Sequence, residues 1–206
     1  MVEDPSAYFI CVMDEGKERT ELQLSADGKK LANEQGFSNS GFMSNISEDG
    51  RRVVVPVSAS QLPPKGTKSL KVTGQLFLQT GADEKKEVVN LKVAAGETVK
   101  LGTITAKISS VEESSFDKSR TNKTLEANTS LEVISGLKFL DGQGKEIDSS
   151  LAGSSKFGFG SQSMYSRTYQ LRGKPRNLTV EVTYFGKTRS ISIPVELEVA
   201  LSLAGK

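Results

Sequence analysis

The sequence predicts an all-β protein made of two tandem antiparallel β-sandwich domains. Period-two alternation dominates the local pattern, turn dipeptides separate the alternating segments, and one set of landmarks occurs twice in the same order. No segment carries apolar residues at a sustained helical spacing, so the core has to be assembled from strand faces.

The clearest strand closes the chain. Ile191, Ile193, Val195, Leu197, Val199, Leu201 and Leu203 share one parity, while Ser190, Ser192, Glu196, Glu198 and Ser202 take the other. Successive strand side chains point to opposite faces, so this pattern buries one face and solvates the other. Pro194 cannot donate to a ladder and marks an edge or a bulge. Leu178, Val180, Val182 and Tyr184 alternate in the same way, and Phe185-Gly186-Lys187 is expected to turn that strand into the last one. In the first half Leu70, Val72, Leu76 and Leu78 form one face, and Val89, Leu91 and Val93 form the next. Gly81-Ala-Asp-Glu-Lys-Lys86 is expected to join them as a polar loop. Asp27-Gly28, Asp49-Gly50 and Asp141-Gly142 are turn dipeptides, since Gly accepts positive φ and Asp bonds nearby backbone. A further strand is expected through Ile104, Ala106 and Ile108. Phe116-Asp-Lys-Ser-Arg-Thr-Asn-Lys123 reads as a solvated loop before Leu131 and Val133 restart the pattern.

The repeat sets the domain organisation. Leu24-Ser-Ala-Asp27-Gly28-Lys29-Lys-Leu31 returns as Leu140-Asp-Gly-Gln-Gly144-Lys145-Glu-Ile147, and Ser40-Gly41-Phe42-Met43 returns as Phe157-Gly158-Phe159-Gly160. Arg52-Val53-Val54-Val55 is matched by Arg167-Thr168-Tyr169-Gln170, and Leu70-Lys-Val72 by Leu178-Thr-Val180. A unit of roughly a hundred residues is the size of a domain rather than a solenoid repeat. Residues 1–96 and 97–206 are therefore expected to be the two sandwiches, with the linker at residues 94–98 and a short or truncated opening to the first copy.

Composition narrows function mainly by exclusion. The 27 Lys and Arg nearly balance the 25 Asp and Glu, which leaves no electrostatic footprint for nucleic acid. The apolar runs are too short for a transmembrane helix. With no His and one Cys, the usual ligands of zinc, copper and iron are missing, as are serine-histidine-acid and cysteine-histidine centres. No cofactor is expected, and elemental analysis of the purified protein should find no stoichiometric zinc, copper or iron; one such ion per chain would contradict this reading. Cys11, in an apolar run, is expected in the core rather than as a reactive thiol. Glu112 with Glu113, Glu196 with Glu198, and Asp141 with Asp148 are the carboxylate clusters open to acid–base work, and for Glu196 and Glu198 the alternative is a solvated strand face. Asp141, Gln143 and Asp148 could hold calcium, against a plain turn.

The stretch from Leu131 to Ile147, with its Asp141-Gly-Gln-Gly-Lys145 turn and the closing alternating strands, resembles the immunoglobulin-like (telokin-like) domains of exported bacterial proteins. The resemblance covers residues 102–203. It implies an immunoglobulin-like sandwich and a place outside the cytoplasm, in the periplasm, at the cell surface or secreted, and it carries no functional residue with it. Met1-Val-Glu-Asp-Pro-Ser lacks a basic and apolar leader, which leaves a cytosolic protein or a mature exported segment; analogy with other tandem all-β domains makes the second the expectation.

One stretch invites a functional reading. Phe157, Phe159, Tyr165, Arg167 and Tyr169 share a parity that a regular strand would place on one face. Aromatic rings beside a guanidinium suit a sugar or a protein partner. The alternative puts Phe157, Phe159 and Tyr169 in the core. Tyr165 and Arg167 are expected to be more exposed than Phe157, Phe159 and Tyr169, so Tyr165, Arg167 and Phe159 are the candidate contacts. The chain is thus expected to be a non-enzymatic binding, adhesion or spacer module of the cell envelope or secreted space. The alternative is a carbohydrate-binding accessory region of a polysaccharide-acting enzyme.

Overall fold

The computed structural model describes residues 2–3, 8–13, 18–32, 45–47, 49–159 and 162–201. The strands are β1 (Val2–Glu3), β2 (Tyr8–Val12), β3 (Glu21–Ala26), β4 (Lys29–Lys30), β5 (Asn45–Ile46), β6 (Arg52–Val54), β7 (Ser69–Lys92), β8 (Thr98–Leu101), β9 (Ile104–Glu113), β10 (Arg120–Ala127), β11 (Ile134–Leu140), β12 (Ser149–Phe159), β13 (Gln162–Arg172) and β14 (Asn177–Ala200). The only helical piece among the described residues is a 3-10 turn at Leu131–Val133. The all-β class and the antiparallel sheets agree with the sequence.

The chain forms two compact units, Met1–Ala82 with Thr188–Lys206, and Asp83–Lys187. The divisions fall inside β7 and β14, each of which runs unbroken for 24 residues. The expected linker at residues 94–98 is instead a turn inside the second unit, where Gly96 N–H donates to Ile108 O at 2.8 Å.

In the first unit, residues 69–82 of β7 carry β3 and then β2 along one edge, with Leu24 opposite Val72 and Phe9 opposite Thr80. Residues 188–200 of β14 lie along the other edge, with Leu201 N–H donating to Lys68 O at 2.7 Å and Lys71 Nζ 2.6 Å from Glu196 Oε1. The small β1–β6–β5 sheet completes the unit. Its core gathers Phe9, Val12, Val53, Leu76 and Leu78, with Ile191, Ile193 and Val195 packed against them.

The second unit has two sheets, β12–β13–β10–β9–β8 and, opposite, β11 beside residues 177–187 of β14 and residues 83–92 of β7. Alternate residues of β8, β9, β10 and β13 meet Phe139, Leu178, Val180, Val182 and Tyr184 from the other sheet in one core. Phe139 and Tyr169 pack edge to face at 5.4 Å. Each such buried large side chain contributes about 1.5–3 kcal/mol relative to exposure.

The first and last landmarks of the expected repeat fall on paired strands in each unit, in registers that differ by one residue: Leu24 faces Val72, whereas Leu140 faces Thr179 rather than Val180. Ala26 and Leu24 of β3 face Leu70 and Val72 of β7, and Leu140 and Phe139 of β11 face Thr179 and Val180 of β14. A tight turn follows the first strand of each pair. Asp27 carboxylate oxygens accept from the N–H groups of Ser69 and Lys68, and Asp141 Oδ1 accepts from those of Gln143 and Lys145. Arg52 and Arg167 likewise sit on strands, β6 and β13, that have neighbours on both sides. The Ser40–Met43 landmark lies outside the described residues.

Five local expectations change. Residues 81–86 and 185–187 are continuous strand rather than loop and hairpin turn. Residues 83–88 are exposed, so no buried face marks them as strand, while Gly186 is held close to its neighbours, its absent Cβ position 2.9 Å from Lys85 Cε and 3.1 Å from Asp83 O. Lys123 is not in a solvated loop: it lies within β10, flanked by β9 and β13. Leu197 and Val199 are each 61% exposed, because the alternation of β14 outruns the short strands that cover this unit among the described residues. Cys11 is only half-buried, since the register shift between Phe9 and Cys11 turns Phe9, Ile10 and Val12 inward in its place.

Candidate functional site

The β12–β13 hairpin is built from the stretch the sequence singles out. Residues directly opposite in an antiparallel pair share a face. Phe157 lies opposite Met164, Ser155 opposite Ser166, Lys156 opposite Tyr165 and Ser154 opposite Arg167. An odd residue on β12 therefore faces an even residue on β13. The chain reversal between the strands breaks the shared parity, so Phe157 is on one face while Tyr165, Arg167 and Tyr169 are on the other.

The expected order of exposure holds against Tyr169 and is reversed for Phe157. Phe157 is 66% exposed and Met164 44%, whereas Tyr169 is buried and Tyr165 and Arg167 are half-buried. On β13, Tyr165, Arg167, Tyr169 and Leu171 stand opposite the buried Ala127, Leu125, Lys123 and Thr121 of β10. This is the core side of the sheet. The Arg167 side chain, 14% exposed, donates through Nη1 to Ile134 O at 3.1 Å and through Nη2 to Glu132 Oε2 at 2.9 Å, pinning β13 to the 3-10 turn and the start of β11. Tyr165 packs against the core with Lys156 Nζ 5.4 Å from its ring centroid. The Phe159 side chain lies outside the described residues, although its backbone pairs with Gln162. Burial raises the pKa of the Tyr169 phenol.

Tyr165→Ala is accordingly expected to lose about 1–2 kcal/mol of stability, since it removes a partly buried ring from the core edge. Urea unfolding measures this, and an unchanged midpoint would return Tyr165 to the role of an exposed contact.

Elsewhere the candidate chemistry is occupied by structural pairing. Glu196 bonds Lys71, which holds its carboxyl below the usual range, and Glu113 pairs with Lys174. The Asp141 carboxylate is drawn into its own turn by the N–H groups of Lys145 and Gln143, which lower its pKa, and Asp148 pairs with Arg120. Asp141 thus closes its own turn, while Asp148 is held by Arg120. Among the described residues no group of three His, Cys, Asp or Glu side chains is gathered to hold a metal. In a cleft of the second unit, lined by Asn90, Lys92, Asn177 and Thr179 among others, Thr179 Oγ1 donates to Asn90 Oδ1 at 3.3 Å and Lys92 Nζ donates to Glu97 Oε1 at 2.7 Å.

The residues that sequence reasoning missed are Met164, on the exposed face with Phe157, and Lys123. Lys123 is 3% exposed, its Nζ 3.5 Å from Pro175 O, and desolvation pulls its pKa down to about 8. The signal for Lys123 was its parity with Leu125 and Ala127; Met164 carried none, because only the pairing of β12 with β13 sets it opposite Phe157. No protein-family model matches the chain, and no curated protein or solved structure matches it. No described helix is long and apolar enough to cross a membrane.

Proposed function

We propose that the chain is a non-enzymatic binding module of the cell envelope or secreted space, built of immunoglobulin-like sandwiches, and that it meets its partner through the β12–β13 hairpin. One observation carries the contact surface: Phe157 and Met164 stand directly opposite each other and both project into solvent. Phe116, Val88 and Leu151 of this unit are exposed as well, but Phe157 and Met164 are a directly opposed pair, which is the kind of apolar patch a partner would cover. The pairing of Glu113, Glu196 and Asp148 with cations supports a binding role over a catalytic one. The place outside the cytoplasm rests on the resemblance to exported immunoglobulin-like domains.

A second reading, a carbohydrate-binding accessory region, is favoured by the hydroxyl-rich face on which Phe157 and Met164 stand. Both readings share one test. The double variant Phe157→Ala, Met164→Ala should keep its far-UV spectrum and its urea midpoint within about 0.5 kcal/mol, because both side chains are exposed. It should lose at least about tenfold in affinity for any glycan or protein that the parent binds on arrays. A parent that binds nothing, or a variant that binds as well as the parent, overturns the assignment of the hairpin.

A further inference from the structure

We infer that the outer face of the five-stranded sheet is a binding surface for a neutral polysaccharide; this rests on the hairpin as the contact surface and names the chemical class of its partner. The register arranges this face in rows. The middle row crosses four strands as Ser110, Thr124, Thr168 and Gly153. Ser110 Oγ donates to Thr124 Oγ1 at 3.1 Å, and the hydroxyls of Thr124 and Thr168 meet at 2.9 Å. A Cβ on Gly153 would have no atom within 4 Å, so the row ends flat and open at the edge strand. One row towards the hairpin tip, the Ser155 and Ser166 hydroxyls meet at 2.7 Å, and Phe157 and Met164 form the next row. On the other side Gln170 Nε2 bonds Asn122 Oδ1 at 3.3 Å and Ser114 Oγ at 3.0 Å.

The chemistry of these rows selects the partner. A quarter of the chain is charged, yet the middle row and the β12–β13 part of the two rows beyond it carry no charged side chain. The charges of this face stand outside these positions: Lys100, Lys107 and Glu112 on β8 and β9, Arg120 and Glu126 on β10, with Glu126 directly opposite Ser166, and Arg172 on β13. An anionic partner would need cations where these rows have none. The centre of a protein interface is apolar and rich in aromatic residues, and here it is hydroxyl and amide. Each Ser and Thr hydroxyl has one donor and two lone pairs, so the bonds within the rows leave acceptor sites over, and a sugar hydroxyl can donate to one or accept from another. Cross-strand bonding fixes these side chains before binding, which reduces the ordering cost. Phe157 adds an apolar ring against which a sugar C–H face can pack. A face several strands wide suits an extended chain of sugars.

Retention of the full chain is to be measured on β-glucan, xylan, mannan, chitin and starch, with pectin and alginate as anionic arms, at low salt and in 1 M NaCl. Retention on at least one neutral polysaccharide, undiminished by salt, is expected. Thr168→Arg and Ser155→Arg should each weaken it at least about tenfold, because a guanidinium must then be desolvated against a neutral partner. Ser155 is on the exposed edge strand, so its variant tests the face even if Thr168→Arg folds poorly. Retention on no neutral polysaccharide, retention on an anionic one that salt abolishes, or retention that Ser155→Arg keeps would each overturn the inference. A protein partner lost in the Phe157→Ala, Met164→Ala variant, without polysaccharide retention, would overturn the polysaccharide and leave the hairpin standing.

Discussion

The Lys123→Met variant is expected to be more stable than the parent at pH 7, by about 3 kcal/mol. Lys123 is buried in β10 opposite Tyr169, with a single long hydrogen bond to Pro175 O at 3.5 Å. Desolvation lowers its pKa from the model-compound value of 10.5 to about 8. Each unit of such a shift corresponds to 1.36 kcal/mol, which sets the order of magnitude. Methionine keeps the aliphatic stem and removes the charge, the kind of replacement that stabilises when a buried ion is poorly compensated. The direction with pH follows from proton binding. Below pH 8 the amine is protonated in both states and the folded protein bears the whole cost. Between pH 8 and 10.5 the unfolded chain binds more protons, so parent stability rises with pH across that window and levels off above it. The variant should lack this rise, and its advantage should shrink as the pH approaches 10.5. Urea unfolding of both proteins at pH 7 and pH 10 measures the effect. A variant less stable than the parent at pH 7 would show that the Pro175 contact outweighs desolvation.

Gly74→Ala should be the most damaging single substitution of the first unit, costing about 3 kcal/mol or more. Gly74 sits in β7 opposite Leu22 with φ near +145°, a conformation that residues with a Cβ rarely adopt. A Cβ there would lie 1.9 Å from Glu21 O and 3.0 Å from Glu21 C. These are backbone atoms of the neighbouring strand, so relief requires β3 to move away from β7 rather than a side chain to rotate. Denaturant unfolding should show the loss, and a change below about 1 kcal/mol would mean that β3 does not lie against Gly74 in this way.

Much of the architecture was legible wherever one face of a strand is buried. The alternation of Leu178, Val180, Val182 and Tyr184, and of Ile104, Ala106 and Ile108, marks strands whose inward residues form the core of the second unit. The recurring order of landmarks put the strands ahead of Asp27 and Asp141 beside the starts of β7 and β14, in registers that differ by one residue. Alternation fails where burial does. Residues 83–88 are exposed and polar, so they read as a loop although they are strand. Their continuity in β7, and that of residues 185–187 in β14, moved the unit divisions from the Gly96 turn into the two long strands.

The candidate site was legible as a segment but not as a face. Parity along a sequence assigns faces only within one strand. The reversal between β12 and β13 set Phe157 beside Met164 and sent Tyr165 and Arg167 towards the core. The hydroxyl row was less visible still, since Ser110, Thr124 and Thr168 are scattered through the sequence and only the register aligns them.

The most direct test of the hairpin as the contact surface is an amide NMR titration of the labelled full chain with the partner that the arrays identify. Shift changes are expected to concentrate on residues 153–157 of β12 and 164–168 of β13, extending to Thr124 and Ser110, with the first unit unaffected. Changes centred instead on the first unit, around Leu197 and Val199, would contradict the assignment of the hairpin as the surface through which this protein binds.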